Sequence, residues 1–378
     1  LELVEQFRFG DEELSFLQQN EIVHPNTIDW LANYRFTGNI TGYREGDSYF
    51  PGSPVLIVEG TFAEAVLLET LALSVLNFDS AVASAAARMV SAADARPIAE
   101  MGSRRTGERS AVASARAAYI AGFSATSNLE AGRSWGVPTM GTAAHSFTLL
   151  HDSEEEAFQA QVDAFGPSTT LLVDTYDVEK AVGLAVKVAG TQLGAVRIDS
   201  GDLTVQVASV RAQLDSLGAT NTRITVTNDL DEHAIAALRA APVDSFGVGT
   251  SVVTGSGHPA AGMVYKLVAH HNDAGEWVSV AKKSTAKATV GGHKAAMRTL
   301  DGGLATAELI YQASEGRPDV EGRDLIVSLM TNGTADARWL GRDGTLAARQ
   351  HREQALAELP LNAFRLSRCE PVVPTVYR

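Results

Sequence analysis

The chain has 378 residues, a formal net charge of −14 at neutral pH, 45% hydrophobic residues, 20% charged residues and a single cysteine, Cys369. This composition excludes a disordered or fibrous chain and supplies enough apolar residues for one large barrel or for two to three domains. One cysteine excludes an internal disulfide framework and a cysteine zinc cluster, and it favours a reducing, cytoplasmic compartment.

The acidic charge argues against a nucleic-acid partner, whereas a small anionic ligand needs only a few local cations. The longest apolar stretch, residues 63–76, contains Glu64 and Glu69 and is too short and too charged for a membrane span. No basic segment followed by an apolar stretch is found near the start, so we expect no signal peptide.

The first predicted elements are a strand and a long helix. Residues 54–59 are apolar and β-prone, and Thr61 and Glu64 have the spacing of a capping box. We therefore expect a helix over about 62–92, followed by a second helix over about 108–121.

Five short apolar runs, each followed by polar or glycine residues, predict β-strands separated by helices. The runs cover residues 137–141, 170–173, 195–198, 224–227 and 245–248. Their spacing is that of a β-strand plus a crossover helix, which predicts a parallel sheet. An open doubly wound sheet and a barrel both fit, but the even spacing and the lack of an early GxGxxG favour the barrel. In either fold, ligands bind at the carboxyl ends of the strands.

The chain changes character after about residue 270. Residues 276–281 predict an edge strand, and residues 343–358 predict a helix. Between them lies a lysine-rich loop with Lys282, Lys283, Lys287 and Lys294.

The segment after the third run contains the most informative candidates, Asp199, Ser200, Gly201 and Asp202. Two carboxylates around a glycine are able to accept hydrogen bonds from a ribose diol or to ligate Mg²⁺. The alternative is a polar turn in which Ser200 or Asp202 caps the next helix.

Other strand ends also present polar groups. The Gly247–Gly249 turn suits an anion, or it is simply a tight turn. His145 is a candidate catalyst or a structural histidine. Asp174 is a candidate to orient a histidine or bind a metal, or it caps a helix.

Two adjacent cations, Arg104 and Arg105, suit a carboxylate or a phosphate. The alternative is a solvated pair, or ion pairs with Glu100 or Glu108. Together with the lysine-rich loop, these candidates suggest a ligand that contains ribose and phosphate.

Seven segments, in this order, resemble the nicotinate phosphoribosyltransferase family. They are EMGSRR (100–105), GFSATSN (122–128), GTAAHS (141–146), LVDTYD (172–177), RIDSGD (197–202), NDLDE (228–232) and DSFGVGT (244–250). The resemblance covers at least residues 50–300, and the tail at 366–374 is similar to bacterial members.

The resemblance implies an α/β fold, an irregular (β/α) barrel of the type II phosphoribosyltransferase kind with a second domain built from N- and C-terminal segments. The expected ranges are 1–100 for the N-terminal domain, 101–270 for the barrel and 271–378 for the C-terminal segment. It also implies transfer of phosphoribosyl from phosphoribosyl pyrophosphate to nicotinate in NAD salvage, coupled to ATP hydrolysis. Mg²⁺ and ATP are the implied cofactors, and a cytoplasmic homodimer with shared active sites is implied.

The family's functional residues carry over to this chain by their motifs. His145 is implied to be the histidine that ATP phosphorylates, and Asp174 to hold its ring. Asp199 and Asp202 are implied to bind the ribose and the Mg²⁺–pyrophosphate side. Arg197 and one of Arg104 or Arg105 are implied to face nicotinate, whereas other residues contact the substrates. These are Ser200, Gly201, Asn228, Asp229, Gly247, Gly249, Thr250, Lys282, Ser284 and Lys287.

The chain departs from the family's pattern at three places. An initial Thr-Asp-x-Tyr segment is not found, so we expect the chain to lack tens of N-terminal residues. Met101 and Gly291 stand where an aromatic residue and a proline are common. Alternative functions are nicotinamide phosphoribosyltransferase, for which two arginines are less suited, quinolinate phosphoribosyltransferase, which needs no ATP-accepting histidine, and a non-catalytic ligand-binding homologue.

Overall fold

The computed structural model describes residues 1–282 and 289–378. The chain forms two compact units, the first from Leu1–Leu76 and Gly262–Arg378 and the second from Asn77–Ala261. The first unit thus combines N- and C-terminal segments. The sequence analysis places the boundaries at 100 and 270 instead of 76 and 261, because the long helix that continues across the first boundary has no break in its sequence pattern.

The helices, in chain order, are α1 (Glu2–Gln6), α2 (Asp11–Gln19), α3 (Pro25–Ala32), α4 (Phe62–Ala93), α5 (Glu108–Ile120), α6 (Leu129–Trp135), α7 (His145–Leu150), α8 (Glu154–Phe165), α9 (Val178–Ala189), α10 (Leu203–Ser216), α11 (Glu232–Ala237), α12 (Thr250–Val253) and α13 (Gly341–Ala357). The strands are β1 (Asn39–Tyr43), β2 (Leu56–Glu59), β3 (Ile98–Glu100), β4 (Ala125–Thr126), β5 (Thr170–Leu172), β6 (Ala195–Ile198), β7 (Arg223–Val226), β8 (Ser245–Val248), β9 (Ala269–His271), β10 (Trp277–Ser279), β11 (Lys294–Asp301), β12 (Leu304–Gln312), β13 (Gly322–Asp324), β14 (Ile326–Thr331), β15 (Thr334–Ala335) and β16 (Thr375–Tyr377).

The second unit is built on a six-stranded parallel sheet in the order β4-β3-β8-β7-β6-β5, curled as a half-barrel. Four of the five predicted strands are found as β5 to β8. The predicted strand 137–141 is wrong in extent, since only Thr139 makes a β-bridge, to Thr126. Pro138 has no backbone N–H to donate, which shortens the pairing.

The strands of this sheet are apolar on both faces because helices cover it. Val196 and Ile198 of β6 are fully buried. Helix α9 buries Ala181, Val182 and Ala185, which lie on one face at helical spacing. Each fully buried Val or Ile side chain contributes about 1.5–3 kcal/mol, so the strand ends are held on a rigid base.

The first unit contains two four-stranded sheets, in the orders β15-β14-β1-β2 and β13-β11-β12-β16, and the hairpin β9–β10. One of its cores contains Tyr34, Phe36, Ile40, Leu68 and Met330. The predicted edge strand 276–281 is the shorter β10.

By length and composition alone, helix α4 is able to cross a membrane, so the expectation that this region is too short and too charged is wrong on that criterion. Only 17% of its most apolar 18-residue window is buried, yet Leu68, Val82 and Met89 are each at most 1% exposed. Its start is the predicted capping box, in which the Glu64 N–H donates to Thr61 Oγ1 over 3.3 Å and the Thr61 N–H donates to Glu64 Oε2 over 3.2 Å. The helix therefore contributes buried side chains to each unit.

Candidate active site

Asp174 lies directly beyond β5 and links two loops at the carboxyl ends of the strands. Its side chain is 1% exposed, and its Oδ1 lies 3.1 Å from Nε2 of His145. Its Oδ2 accepts hydrogen bonds from the Asp199 N–H over 2.9 Å and from the Ser200 hydroxyl over 2.6 Å. The structure thus brings together four of the residues that the sequence singles out.

The contact with Asp174 favours one tautomer of His145. In a neutral imidazole whose Nε2–H donates to a carboxylate, Nδ1 keeps its lone pair, and this is the tautomer that the contact favours. Among residues 1–282 and 289–378, none is placed as a hydrogen-bond partner of Nδ1, and the side chain is 40% exposed. His145 therefore presents a nucleophilic nitrogen to solvent.

Arg197 is held by residues at the ends of β6 and β7 and by the loop before α7. Its Nε donates to Thr227 Oγ1 and its Nη1 to Thr142 Oγ1, both over 2.7 Å, and its Nη2 lies 3.0 Å from Asp199 Oδ1. Nη1 also lies 3.4 Å from the carbonyl of Ala143. Most of its five N–H donors are engaged, and Nη2 retains one for a ligand.

Thr227 and Thr142 are functional-site residues that the sequence analysis missed. Thr227 accepts from Arg197 and donates to Asp199, so one hydroxyl fixes both side chains. The position of Thr227, between the apolar run of β7 and Asn228, is the sequence feature that could have indicated its role. Thr142 gave a weaker signal, since it precedes His145 in a loop.

Arg104 and Arg105 lie in a turn after β3, residues 101–105, here called the arginine turn. Both side chains are exposed. The alternative of ion pairs with Glu100 is wrong, because the Glu100 carboxylate instead accepts from the Gly102 N–H and the Thr126 hydroxyl. An ion pair with Glu108 is not placed either, so among residues 1–282 and 289–378 neither guanidinium group has an anionic partner.

The segment 247–249, here called the glycine turn, begins inside β8 and lies beside the arginine turn. A Cβ at Gly247 would stand 2.6 Å from Thr227 Cγ2 and 2.7 Å from Met101 Sδ, so a larger residue there would require these side chains to shift. The Met101 N–H donates to the Val248 carbonyl over 2.7 Å. Gly249 and Thr250 begin α12, and Asn228 and Asp229 follow the neighbouring strand β7.

Asp202 differs from Asp199 in its contacts. It is the N-cap of α10 and accepts from the Val205 N–H over 3.4 Å, as in the structural alternative considered from the sequence. Gly201 before it has φ +84°, a conformation that favours glycine.

The carboxylates of this site fit the expected Mg²⁺ only as an ion that is also bound by substrate phosphate. Within the part of the chain that the structure describes, no group of three or more His, Cys, Asp or Glu residues has a metal-binding arrangement. Mg²⁺ is commonly bound by one or two carboxylates together with substrate phosphates. Asp199 and Asp202 suit an ion that arrives with a phosphate ligand.

Of the lysine-rich loop, the described residues Lys282 and Lys294 lie in the first unit, and Lys294 is a buried residue of β11 instead of a loop residue. Lys282 is exposed, and its N–H donates to Thr289 Oγ1 over 3.0 Å. The predicted substrate-binding residues Ser284 and Lys287 lie outside the described residues.

The fold of this chain is shared with a solved structure. The solved structure titled human nicotinic acid phosphoribosyltransferase superposes with a TM-score of 0.81 at 24% identity, covering all of this chain and 88% of that one. The fold class expected from the sequence is confirmed.

Family and sequence comparisons are more specific. The family models described as the nicotinate phosphoribosyltransferase N-terminal domain and the nicotinate phosphoribosyltransferase family match residues 1–77 and 97–312. Nicotinate phosphoribosyltransferase pncB1 of Mycobacterium tuberculosis is 54% identical over 99% of this chain and 84% of its own length. The pncB2 protein of that organism is 40% identical over 88% and 72%. The chain belongs to the nicotinate phosphoribosyltransferase family.

Proposed function

We propose that the protein transfers the phosphoribosyl group of phosphoribosyl pyrophosphate to nicotinate, giving nicotinate mononucleotide and pyrophosphate, and that ATP hydrolysis is coupled to this transfer through phosphorylated His145. The observation that carries the proposal is the continuous hydrogen-bonded path from His145 through Asp174 to Asp199 and Ser200. It joins the proposed phosphoryl acceptor to the proposed ribose site.

The phosphoryl step uses the free ring nitrogen. Nδ1 of His145 attacks the γ-phosphorus of ATP, the bond to the β,γ-bridging oxygen breaks, and ADP leaves. Asp174 holds Nε2–H and stabilises the positive charge that develops on the ring. Water later hydrolyses the phosphohistidine to phosphate, which returns His145 to its starting state.

The transfer step needs no protein nucleophile. The bond from ribose C1 to the pyrophosphate oxygen breaks with oxocarbenium character, and the pyridine nitrogen of nicotinate bonds to C1. Asp199 accepts hydrogen bonds from the ribose hydroxyls, with Ser200 and Gly201 shaping that loop. Asp199 and Asp202 would hold Mg²⁺ together with substrate phosphate, and the ion would supply charge neutralisation for the departing pyrophosphate.

Phosphate and base recognition use the neighbouring strand ends. Backbone N–H groups of the turn that contains Gly247, Gly249 and Thr250 hold the 5′-phosphate, beside Asn228 and Asp229. Arg197 and one of the two arginines of the arginine turn pair with the nicotinate carboxylate. Lys282, Ser284 and Lys287 are assigned to the pyrophosphate or ATP phosphates.

The same proposal places the protein in NAD salvage, as a cytoplasmic homodimer with shared active sites. Nicotinamide phosphoribosyltransferase is the second candidate function. Nicotinate is favoured because the exposed cations at Arg104 and Arg105 attract a carboxylate more strongly than an uncharged amide.

A steady-state assay of the purified protein tests the proposal. Nicotinate and nicotinamide are each supplied with phosphoribosyl pyrophosphate, with and without ATP, and mononucleotide, pyrophosphate and ADP are measured. We expect nicotinate mononucleotide, formed faster with ATP and accompanied by ADP. Preference for nicotinamide, or turnover that ATP does not change, contradicts the corresponding part of the proposal.

A further inference from the structure

Glu100 is a fully buried carboxyl group at the end of β3, outside the groups assigned above to chemistry. Its exposed fraction is 0%. A buried carboxylate costs free energy unless hydrogen bonds compensate for the lost water. Burial raises the pKa of Glu100, whereas the hydrogen bonds from Thr126 and Gly102 lower it. These hydrogen bonds join Glu100 to two neighbouring parts of the backbone.

One carboxylate oxygen holds the arginine turn itself. Oε1 of Glu100 accepts from the N–H of Gly102. The Gly102 carbonyl in turn accepts from the Arg105 N–H over 2.8 Å, which closes the turn that carries both arginines. The Glu100 side chain therefore fixes the backbone of Gly102, the second residue of this turn.

The other oxygen ties the turn to the adjacent strand β4. Oε2 accepts from the Thr126 hydroxyl over 2.6 Å, and that hydroxyl accepts from the Asn128 N–H over 3.0 Å. The side-chain amide of Asn128 donates to Ser103 Oγ over 3.0 Å, which returns to the arginine turn. Hydrogen bonds thus run from Glu100 through Thr126 and Asn128 to Ser103, and the peptide bond between Gly102 and Ser103 closes the circuit.

The opposite side of the turn is fixed by packing. A Cβ on Gly102 would overlap Val253 and would stand 2.9 Å from the Gly249 carbonyl oxygen. The arginine turn is therefore held between the circuit around Glu100 and the glycine turn.

We propose that Glu100 is a positioning residue that orients the arginine turn for recognition of the carboxylate on the base. This inference rests on the proposed function for its substrate. Glu100 does not contact the substrate. It acts through the backbone of Gly102 and the hydroxyl of Thr126, so that Arg104 and Arg105 present their guanidinium groups from a fixed backbone.

Enzyme kinetics of the whole protein test this role. Glu100→Ala leaves the two donors without an acceptor, and we expect KM for nicotinate to rise at least about tenfold while KM for phosphoribosyl pyrophosphate stays within about twofold. Glu100→Gln can still accept from Gly102 and bond to Thr126, and we expect it to recover KM to within about threefold of the wild type. Glu108→Gln removes the same charge at an exposed site beside the turn and serves as the control.

Hydrogen exchange supplies a readout that does not depend on turnover. We expect Glu100→Ala to speed amide exchange in a peptide spanning residues 101–107, and Glu108→Gln to leave it unchanged. If Glu100→Ala does not fold, Thr126→Val breaks the same circuit at nearly constant volume, with the same expected changes.

The outcomes separate the two proposals. If the wild type transfers no phosphoribosyl group to nicotinate, the proposed function fails, and the exchange comparison still decides whether Glu100 fixes the turn. If a folded Glu100→Ala protein keeps wild-type exchange, or if exchange rises while an active enzyme keeps its KM for nicotinate, the positioning role is overturned.

Discussion

Two networks of charged side chains, one in each unit, use similar groups in different surroundings. In the first unit, Arg298, Asp47 and Glu308 are at most 1% exposed, and Arg298 lies 3.0 Å from Asp47 and 2.7 Å from Glu308. In the second unit, His145 is 40% exposed and Asp199 25%. The first network has its charges paired within the protein, whereas the second leaves capacity for a ligand.

The network of Arg298, Asp47 and Glu308, here called the buried network, includes further partners of Asp47. Asp47 also accepts from Arg323 over 2.7 Å and pairs with His351 over 3.0 Å. Burial raises the pKa of Asp47, but hydrogen bonds from His351 and Arg323 and the charge of Arg298 hold it well below its ordinary value. A perturbed carboxyl group alone therefore does not mark an active site. The distinguishing feature is an accessible group with unused bonding capacity.

The largest expected effect is the loss of stability when the buried network is broken. Arg298→Met leaves Glu308 buried without its cationic partner and removes one of the partners of Asp47, and we expect a loss of about 3–5 kcal/mol in the free energy of unfolding, measured by urea denaturation. Arg317→Met, which removes an exposed ion pair with Asp324, is the control and should cost at most about 1 kcal/mol. Equal losses in the two variants would contradict the comparison.

The next largest effect is expected in the network of His145, Asp174 and Asp199, here called the open network, from a substitution that keeps the size of the side chain. Asp174→Asn can no longer offer an ionised carboxylate to His145, and we expect ATP-stimulated kcat to fall at least about 100-fold. The unfolding midpoint should change little. Asp177→Asn, in the same loop, keeps its helix-capping ability and serves as the control. Retention of ATP stimulation by Asp174→Asn would remove Asp174 from the mechanism.

Selectivity between bases should change by a smaller factor. Replacement of Arg197, Arg104 or Arg105 singly by Ala should raise KM for nicotinate at one or more positions and narrow discrimination against nicotinamide by roughly tenfold, the value of one charge-assisted hydrogen bond. The measurement is kcat/KM for each base at saturating phosphoribosyl pyrophosphate, with Arg109→Ala as an exposed control. If all three variants keep wild-type discrimination, another group recognises the carboxylate.

The smallest expected effect is on stability, and it is seen only at acid pH. The folded-state pKa of Asp47 is lowered, so its contribution to stability is present above its unfolded pKa of about 4 and is lost as pH falls towards the folded value. We expect the free energy of unfolding to decline below about pH 4, and Asp47→Asn to show a shallower decline. An unchanged slope in this variant would show that other carboxyl groups cause the acid sensitivity.

The sequence predicts the elements of the molecule better than the links between them. Strands β6 and β8 have the predicted bounds because each is a short apolar run with polar residues after it. Helix α4 begins where its capping box predicts. These features depend on residues that are near one another in the chain.

The missed features depend on distant residues. Thr227 joins Arg197 and Asp199 from a position about 30 residues away, and nothing in its local sequence distinguishes it from a strand-end hydroxyl. Asp202 is not one of the missed features, because the sequence already offers it as a cap of α10 and the contact is local. Its position immediately before the helix offers it a backbone N–H.

The most direct test of the account is to locate phosphate on the protein after incubation with γ-labelled ATP. We expect acid-labile label on the wild type and on His151→Asn, which changes a second histidine at the end of α7, and none on His145→Ala. His145→Ala should also lose ATPase activity while retaining slow, ATP-independent formation of nicotinate mononucleotide. Acid-labile label on His145→Ala, or no label on an active wild type, would contradict the assignment of His145 as the phosphoryl acceptor.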